Sequence, residues 1–174
     1  MPPLTHLAIR LSDKVYKIPS AIHRHIQVLC RHGAVWMGKP DRGLPRSLVS
    51  TLNCQIAAGH PAYLFIIDPD PCNQVMYLSE LQGVSLKSPP EKELVPGFYG
   101  EMKMHSRMKA WLKIGDLHGD LLEEHPWLVE ANRRYAQIEE EVLDRGPARL
   151  PGYFELEQEG YRMDDTAIEG RQAH

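Results

Sequence analysis

Between Gly33 and Leu117 the chain strings short aromatic-bearing apolar segments around one helical stretch, in the order GAVWMGK, PRSLVSTLNCQIAAG, PAYLFII, QVMYLSELQGVSL, LVPGFYG and MKAWLKIGDL. This order constrains the fold more than any other feature. Most of the segments carry the short apolar or alternating runs of strands, whereas PRSLVSTLNCQIAAG repeats Leu48, Leu52 and Ile56 at helical spacing and closes on Gly59. The fold class expected is therefore α+β. Large flat side chains interleaved with Lys and Arg suit a small β-barrel that stacks a flat ligand, such as a nucleobase, in its mouth. The same rings serve equally well as core.

The flanks add elements of their own. Thr5 to Leu11 alternates as a first strand, and Pro19-Ser20 precede AIHRHIQVLCRHG, where Ile22, Ile26, Leu29 and Cys30 recur at helical spacing and Gly33 supplies a stop. Pro61 to Ile67 is a nearly continuous apolar run, the pattern of a strand covered on both faces. Gln74 to Leu86 reads as a strand with a bulge at Gly83. The Pro-rich SPPEKELVPGFYGEMKMHS is a long connection with enough apolar surface to be ordered. Arg107 to Ile114 returns as a strand, with Met108, Ala110, Leu112 and Ile114 on one face and Lys109, Trp111 and Lys113 on the other. From Asp120 to Arg145 the pattern is helical through Trp127, Ala131, Tyr135, Ile138 and Val142. Tyr153 to Leu156 follows as a short strand, and a frayed tail ends the chain. The expected organisation is an N-terminal strand and helix over 1–32, a central domain over 33–117, and an acidic helical extension over 118–174.

At 174 residues and 43% hydrophobic, the chain has enough apolar material for one core. No apolar run approaches the roughly 18 residues of a spanning helix, and MPPLTHLAIR lacks a basic leader before an apolar stretch, so a soluble cytoplasmic protein is expected. Cys30, Cys54 and Cys72 are odd in number and lack CxxC spacing, which points to reduced, mostly buried thiols. The net charge of -3 conceals an asymmetry. Residues 1–113 carry 14 Lys and Arg against 8 Asp and Glu, whereas residues 114–174 carry 6 against 15. The basic body and acidic end either pair with each other or leave a basic face for phosphates.

The succession of a Trp-bearing strand, a helix, an apolar strand, a long Tyr-bearing strand, the VPGFY loop and the WLKIGDL strand resembles the EVE-type members of the PUA-like superfamily. In particular it is similar to the small modified-base reader domains of modification-dependent restriction systems. The resemblance covers roughly Gly33 to Leu117. It implies a compact pseudo-barrel whose mouth holds a flipped, often methylated base between aromatic rings, with the phosphodiester backbone crossing a basic rim. It also implies a role in defence or nucleic-acid processing.

Trp36 and Trp111, each within a strand and close to a Lys, are the candidate stacking walls. Phe98, Tyr99 and Tyr77 are further candidates to contact the base, and Asn53, Ser47 and Asp41 are candidates to read its edge by hydrogen bonding. Lys39, Arg42 and Arg46 around one loop, and Lys103, Arg107, Lys109 and Lys113 around the last strand, are candidate phosphate contacts.

Other chemistries have weaker support. His23 and His25 point to different faces of one helix, and His118 and His125 have no partner at a ligand spacing, so neither metal nor cofactor is expected. No Ser lies in a G-x-S-x-G setting, and Cys54 sits among apolar helical neighbours. Glu123, Glu124 and His125 offer acid–base groups for a small ribonuclease or hydrolase, an activity attributed to the related ASCH type. A protein-interaction module is the third reading. The leading expectation is a non-catalytic reader of DNA or RNA, with an effector protein or self-association engaged through the acidic C-terminal segment.

Overall fold

The structure, a computed structural model, describes residues 4–10, 16, 20–40, 43–67, 76–119 and 153–158. It is mixed α+β. The elements are β1 (Leu4–Arg10), α1 (Ala21–His32), β2 (Val35–Pro40), α2 (Arg46–Ala57), β3 (Tyr63–Ile67), β4 (Met76–Ser85), the short helix α3 (Phe98–Glu101), β5 (Met108–Gly119) and β6 (Tyr153–Gln158). Single 3-10 turns at Lys92–Leu94 and His105–Arg107 flank α3.

The strands form one six-stranded sheet in the order β2-β5-β4-β3-β1-β6. Among the described strands only β1 and β3 run parallel, and the chain between them makes the long crossover that parallel pairing needs, through α1, β2 and α2. The remaining pairs are antiparallel. Among the described strands the order is open, with β2 and β6 at its edges, so the expectation of a pseudo-barrel is corrected to an open sheet. One sheet also runs across the expected divisions at 32 and 117. β1 lies inside it beside β3, and β6 pairs with β1 from Leu4↔Gln158 to Ile9↔Tyr153.

Local chemistry accounts for these elements. YLFII is apolar throughout because β3 is interior and both its faces are covered: Leu64 and Ile66 join the main core, and Tyr63 and Phe65 are buried as well. α1 ends at Gly33, where φ of 81° suits glycine and the amide donates to the Leu29 carbonyl at 2.8 Å. The expected irregularity in β4 is present, with the register against β5 shifting between Leu81 and Gly83.

α2 turns Leu48 and Leu52 onto the sheet and is fastened there by two amide side chains. Asn53 Nδ2 donates to the Val84 carbonyl at 2.8 Å, and the Val84 amide donates to Asn53 Oδ1 at 2.9 Å. Gln55 does the same for β1, donating to the Thr5 carbonyl at 3.0 Å and accepting from the Thr5 amide at 2.9 Å. It also donates to the Pro61 carbonyl at 2.7 Å. The expectation of mostly buried thiols is corrected: Cys30 and Cys54 lie on the outer sides of α1 and α2 and are exposed. Leu29 beside Cys30, and Leu52 two residues before Cys54, face inward, and the thiols do not. The helical stripe expected over 120–145 lies outside the described residues. No described helix is long and apolar enough to cross a membrane.

Candidate functional site

β2 is an edge strand, and an edge leaves backbone donors and acceptors without a strand partner. At Gly38 two tyrosines meet that need. The Tyr16 hydroxyl donates to the Gly38 carbonyl at 2.8 Å, and the Gly38 amide donates to the Tyr99 hydroxyl oxygen at 2.8 Å. His25 completes the relay. Its Nδ1 lies 2.7 Å from the Ala21 carbonyl, which can only accept, so Nδ1 carries a proton. In the neutral ring Nε2 then accepts, and the Tyr99 hydroxyl donates to it at 2.7 Å. The chain of donors runs from Gly38 through Tyr99 and His25 to Ala21. A Cβ at position 38 would approach Met108 Sδ to 2.6 Å and Tyr99 Cε1 to 3.0 Å, so any larger residue there has to displace the Met108 side chain and crowd the Tyr99 ring.

Burial pushes the hydroxyl pKa of Tyr16 well above the tyrosine range, and the neighbouring Tyr99 raises it further. Tyr99 is also pushed up by burial, against the opposing effect of its hydrogen bonds with Tyr16 and the Gly38 backbone. Both hydroxyls are therefore neutral donors throughout the physiological range.

The rings nominated for stacking pack on one another around this relay. Phe98 and Tyr99 stack with centroids 4.2 Å apart, Tyr99 meets Trp111 at 4.9 Å, and Tyr16 and His25 press edges against Phe98 and Tyr99. Trp111 is 1% exposed, Phe98 2%, Tyr99 0% and Trp36 6%. An open stacking cage made of these rings is thus corrected to a closed aromatic cluster. The alternation expected for β5 is present, but the face carrying Trp111 is covered by the 98–105 segment instead of being open to solvent. The exposed His105 lies across the Trp111 ring at 5.4 Å and 33°. The buried Nε1 of Trp36 has no hydrogen-bond partner among the described residues.

The polar candidates separate clearly. Asn53 is corrected from a base-edge reader to a clamp, since both ends of its amide are engaged by Val84. Ser47 is exposed in the first turn of α2 and does not cap it, because Pro45 holds the cap position. Tyr77 is half-buried against the core. Asp41 and Arg42 lie outside the described residues.

Among the cations, Lys39 is 4% exposed, which corrects its assignment to an open rim. Lys113 Nζ is engaged by both oxygens of Glu91, at 3.0 and 3.2 Å, and lies 5.9 Å from the Trp36 ring centroid. It acts mainly as a tether between β5 and the 87–95 segment. Arg46, Lys103, Arg107 and Lys109 are exposed. The fold brings most of these together: Pro40 pairs with Met108 and Lys39 with Ala110, and the chain at Gly43 passes so close to Lys109 that a Cβ would come within 2.8 Å of the Lys109 Cβ. Arg46 opens α2 three residues further on. Arg46, Arg107 and Lys109 thus converge at one end of the sheet, and residues 102–113 contain no carboxylate.

Tyr16, His25, His105 and Gln55 were not nominated for any of these roles by the sequence. His25 gave a signal, falling three residues after Ile22 and four before Leu29 on the inward stripe of α1. Tyr16 gave none, since it sits in a turn-like stretch. Among the described residues no group of three or more His, Cys, Asp or Glu is placed to hold a metal ion. Glu123, Glu124 and His125 lie outside the described residues. In comparisons with known proteins the chain matches no family model, no curated protein and no solved structure.

Proposed function

We propose that this protein is a non-catalytic nucleic-acid reader, built on a sheet-and-helix core of PUA-like, EVE-type descent. The observation that carries the reading is the convergence of Arg46, Arg107 and Lys109 at one end of the sheet, beside a stretch of β5 and its approach that contains no carboxylate. Exposed guanidinium and ammonium groups suit a run of phosphates. The buried relay supports this rim by anchoring the segment that leads into β5 against β2.

In this reading base recognition begins at His105. Its exposed ring already lies over Trp111, and a flipped base that displaces it would take up the same face of the indole. The aromatic cluster beneath then acts as a rigid floor. Any downstream output belongs to an effector protein or a second copy, for which the acidic C-terminal segment is the contact.

The test is fluorescence polarisation against matched single-stranded and duplex oligonucleotides, with and without methylated or hydroxymethylated bases, at two salt concentrations. Preference for one modified base that persists at the higher salt supports a base reader. Binding that ignores the base and vanishes with salt reduces the function to phosphate binding, and no binding overturns the reading.

A further inference from the structure

Away from the basic end of the sheet, α1 and the 96–101 turn enclose a groove of about 260 Å³. Arg24, Gln27, Val28 and Arg31 form one wall, and Phe98 and Glu101 lie opposite. Arg24, Gln27 and Arg31 share one helical face, and two turns of helix set the arginines about 10 Å apart along the axis. All three are exposed. Exposed arginines on a helix are commonly laced to carboxylates one turn away, but AIHRHIQVLCRH contains two Arg, three His and no Asp or Glu. The floor is apolar, with Phe98 buried and Val28 half-buried.

We propose that this groove holds sugar-phosphate backbone of the same nucleic acid, with Arg24 and Arg31 as a pair of phosphate contacts; the inference rests on the reader function proposed above. Arginine presents a planar fork that matches phosphate oxygens, and Gln27 between the pair supplies a further donor. A volume of about 260 Å³ falls just short of pockets that engulf whole drug-sized ligands, and it suits a phosphate with its adjoining sugar. Continuity with the basic end of the sheet favours a nucleic acid over a separate acidic protein. The 96–109 segment forms one wall of the groove at Phe98 and Glu101 and then carries Lys103, Arg107 and Lys109, so the groove and the basic residues belong to one uninterrupted stretch of chain. Glu101 opposes the arginines, so it weakens binding and disfavours simple anions.

The experiment uses the full chain and a fluorescein-labelled single-stranded oligonucleotide, with affinity measured between about 50 and 200 mM salt. Arg24→Ala with Arg31→Ala removes two exposed side chains, and circular dichroism checks that the fold is kept. The expected result is binding roughly tenfold weaker at low salt and a plot of log affinity against log salt shallower by about 1.4, at about 0.7 per phosphate contact. Glu101→Gln is expected to tighten binding severalfold, a change of sign that a merely structural role would not produce. An unchanged slope in the arginine variant, when Arg107→Ala with Lys109→Ala does lower it, overturns the groove and leaves the reader function standing. Absence of oligonucleotide binding by the unaltered protein overturns both. Binding of poly-glutamate that requires Arg24 and Arg31, with the oligonucleotide slope unaffected, identifies an acidic-protein site and also overturns the inference.

Discussion

The Tyr99 hydroxyl oxygen lies 2.8 Å from the Gly38 amide nitrogen and takes its hydrogen on the outer edge of β2. The contact spans 61 residues of sequence and fixes the connection between β4 and β5 to the far side of the sheet. It also closes an edge that would otherwise template a foreign strand, since Tyr16 engages the Gly38 carbonyl at the same point. The basic residues Lys103, Arg107 and Lys109 follow directly on the segment that Tyr99 anchors.

Tyr99→Phe keeps the ring and removes the oxygen, so the Gly38 amide loses its acceptor and His25 Nε2 its donor. With about 1–3 kcal/mol for each of the two buried groups left unsatisfied, the variant is expected to lose about 2–6 kcal/mol. Tyr16→Phe takes the hydroxyl donor from the Gly38 carbonyl and the Tyr16 oxygen from beside the Tyr99 hydroxyl, and is expected to lose about 1–2 kcal/mol. Urea unfolding at constant slope measures both losses. A Tyr99→Phe midpoint equal to that of the unaltered protein would show that the relay carries no stability.

The same hydroxyls set an alkaline limit. Both are raised above the ordinary tyrosine value of about 10, so the folded state keeps two protons that the unfolded chain releases. This contribution is fully present below about pH 10 and is lost as the pH rises from there toward the raised values. Stability measured against pH is expected to be insensitive to these groups near neutrality and to fall above pH 10. The fall should be shallower in Tyr99→Phe, and a fall equally steep in the variant would contradict the assignment.

How much of this was legible in the sequence depended on range. The 3.6-residue stripe of α1, the unbroken YLFII of an interior strand and the bulge at Gly83 are local patterns, and each gave its element directly. Pairing across the chain was not local. Nothing in LTHLAIR states that it lies parallel to YLFII, or that YFELEQ returns to cover its other side, so the open sheet could not be read from the order of the segments. For the site, the sequence identified the aromatic residues but not their burial, because a stacking wall and a core ring look alike until their neighbours are known. Asn53 illustrates the same limit, since its partner Val84 is 31 residues away.

Asn53 provides a test of the clamp between α2 and β4. Asn53→Ala leaves both the Val84 amide and carbonyl without their partner, at a part-buried position, and is expected to cost about 2 kcal/mol. Asn53→Asp retains the acceptor for the Val84 amide but sets a carboxylate oxygen against the Val84 carbonyl. It is expected to be at least as damaging as the alanine. Thermal unfolding resolves both effects, and wild-type stability in Asn53→Asp would return the residue to the set of free polar groups.

The central claim, phosphate binding at the convergent end of the sheet, is tested most directly by the salt dependence of oligonucleotide affinity in Arg46→Ala, Arg107→Ala, Lys109→Ala. All three side chains are exposed, so the fold is expected to survive their removal. The expected result for a single-stranded oligonucleotide is weaker binding, with a slope of log affinity against log salt shallower by about 2 than that of the unaltered protein. A folded variant with unchanged affinity and slope would contradict the claim.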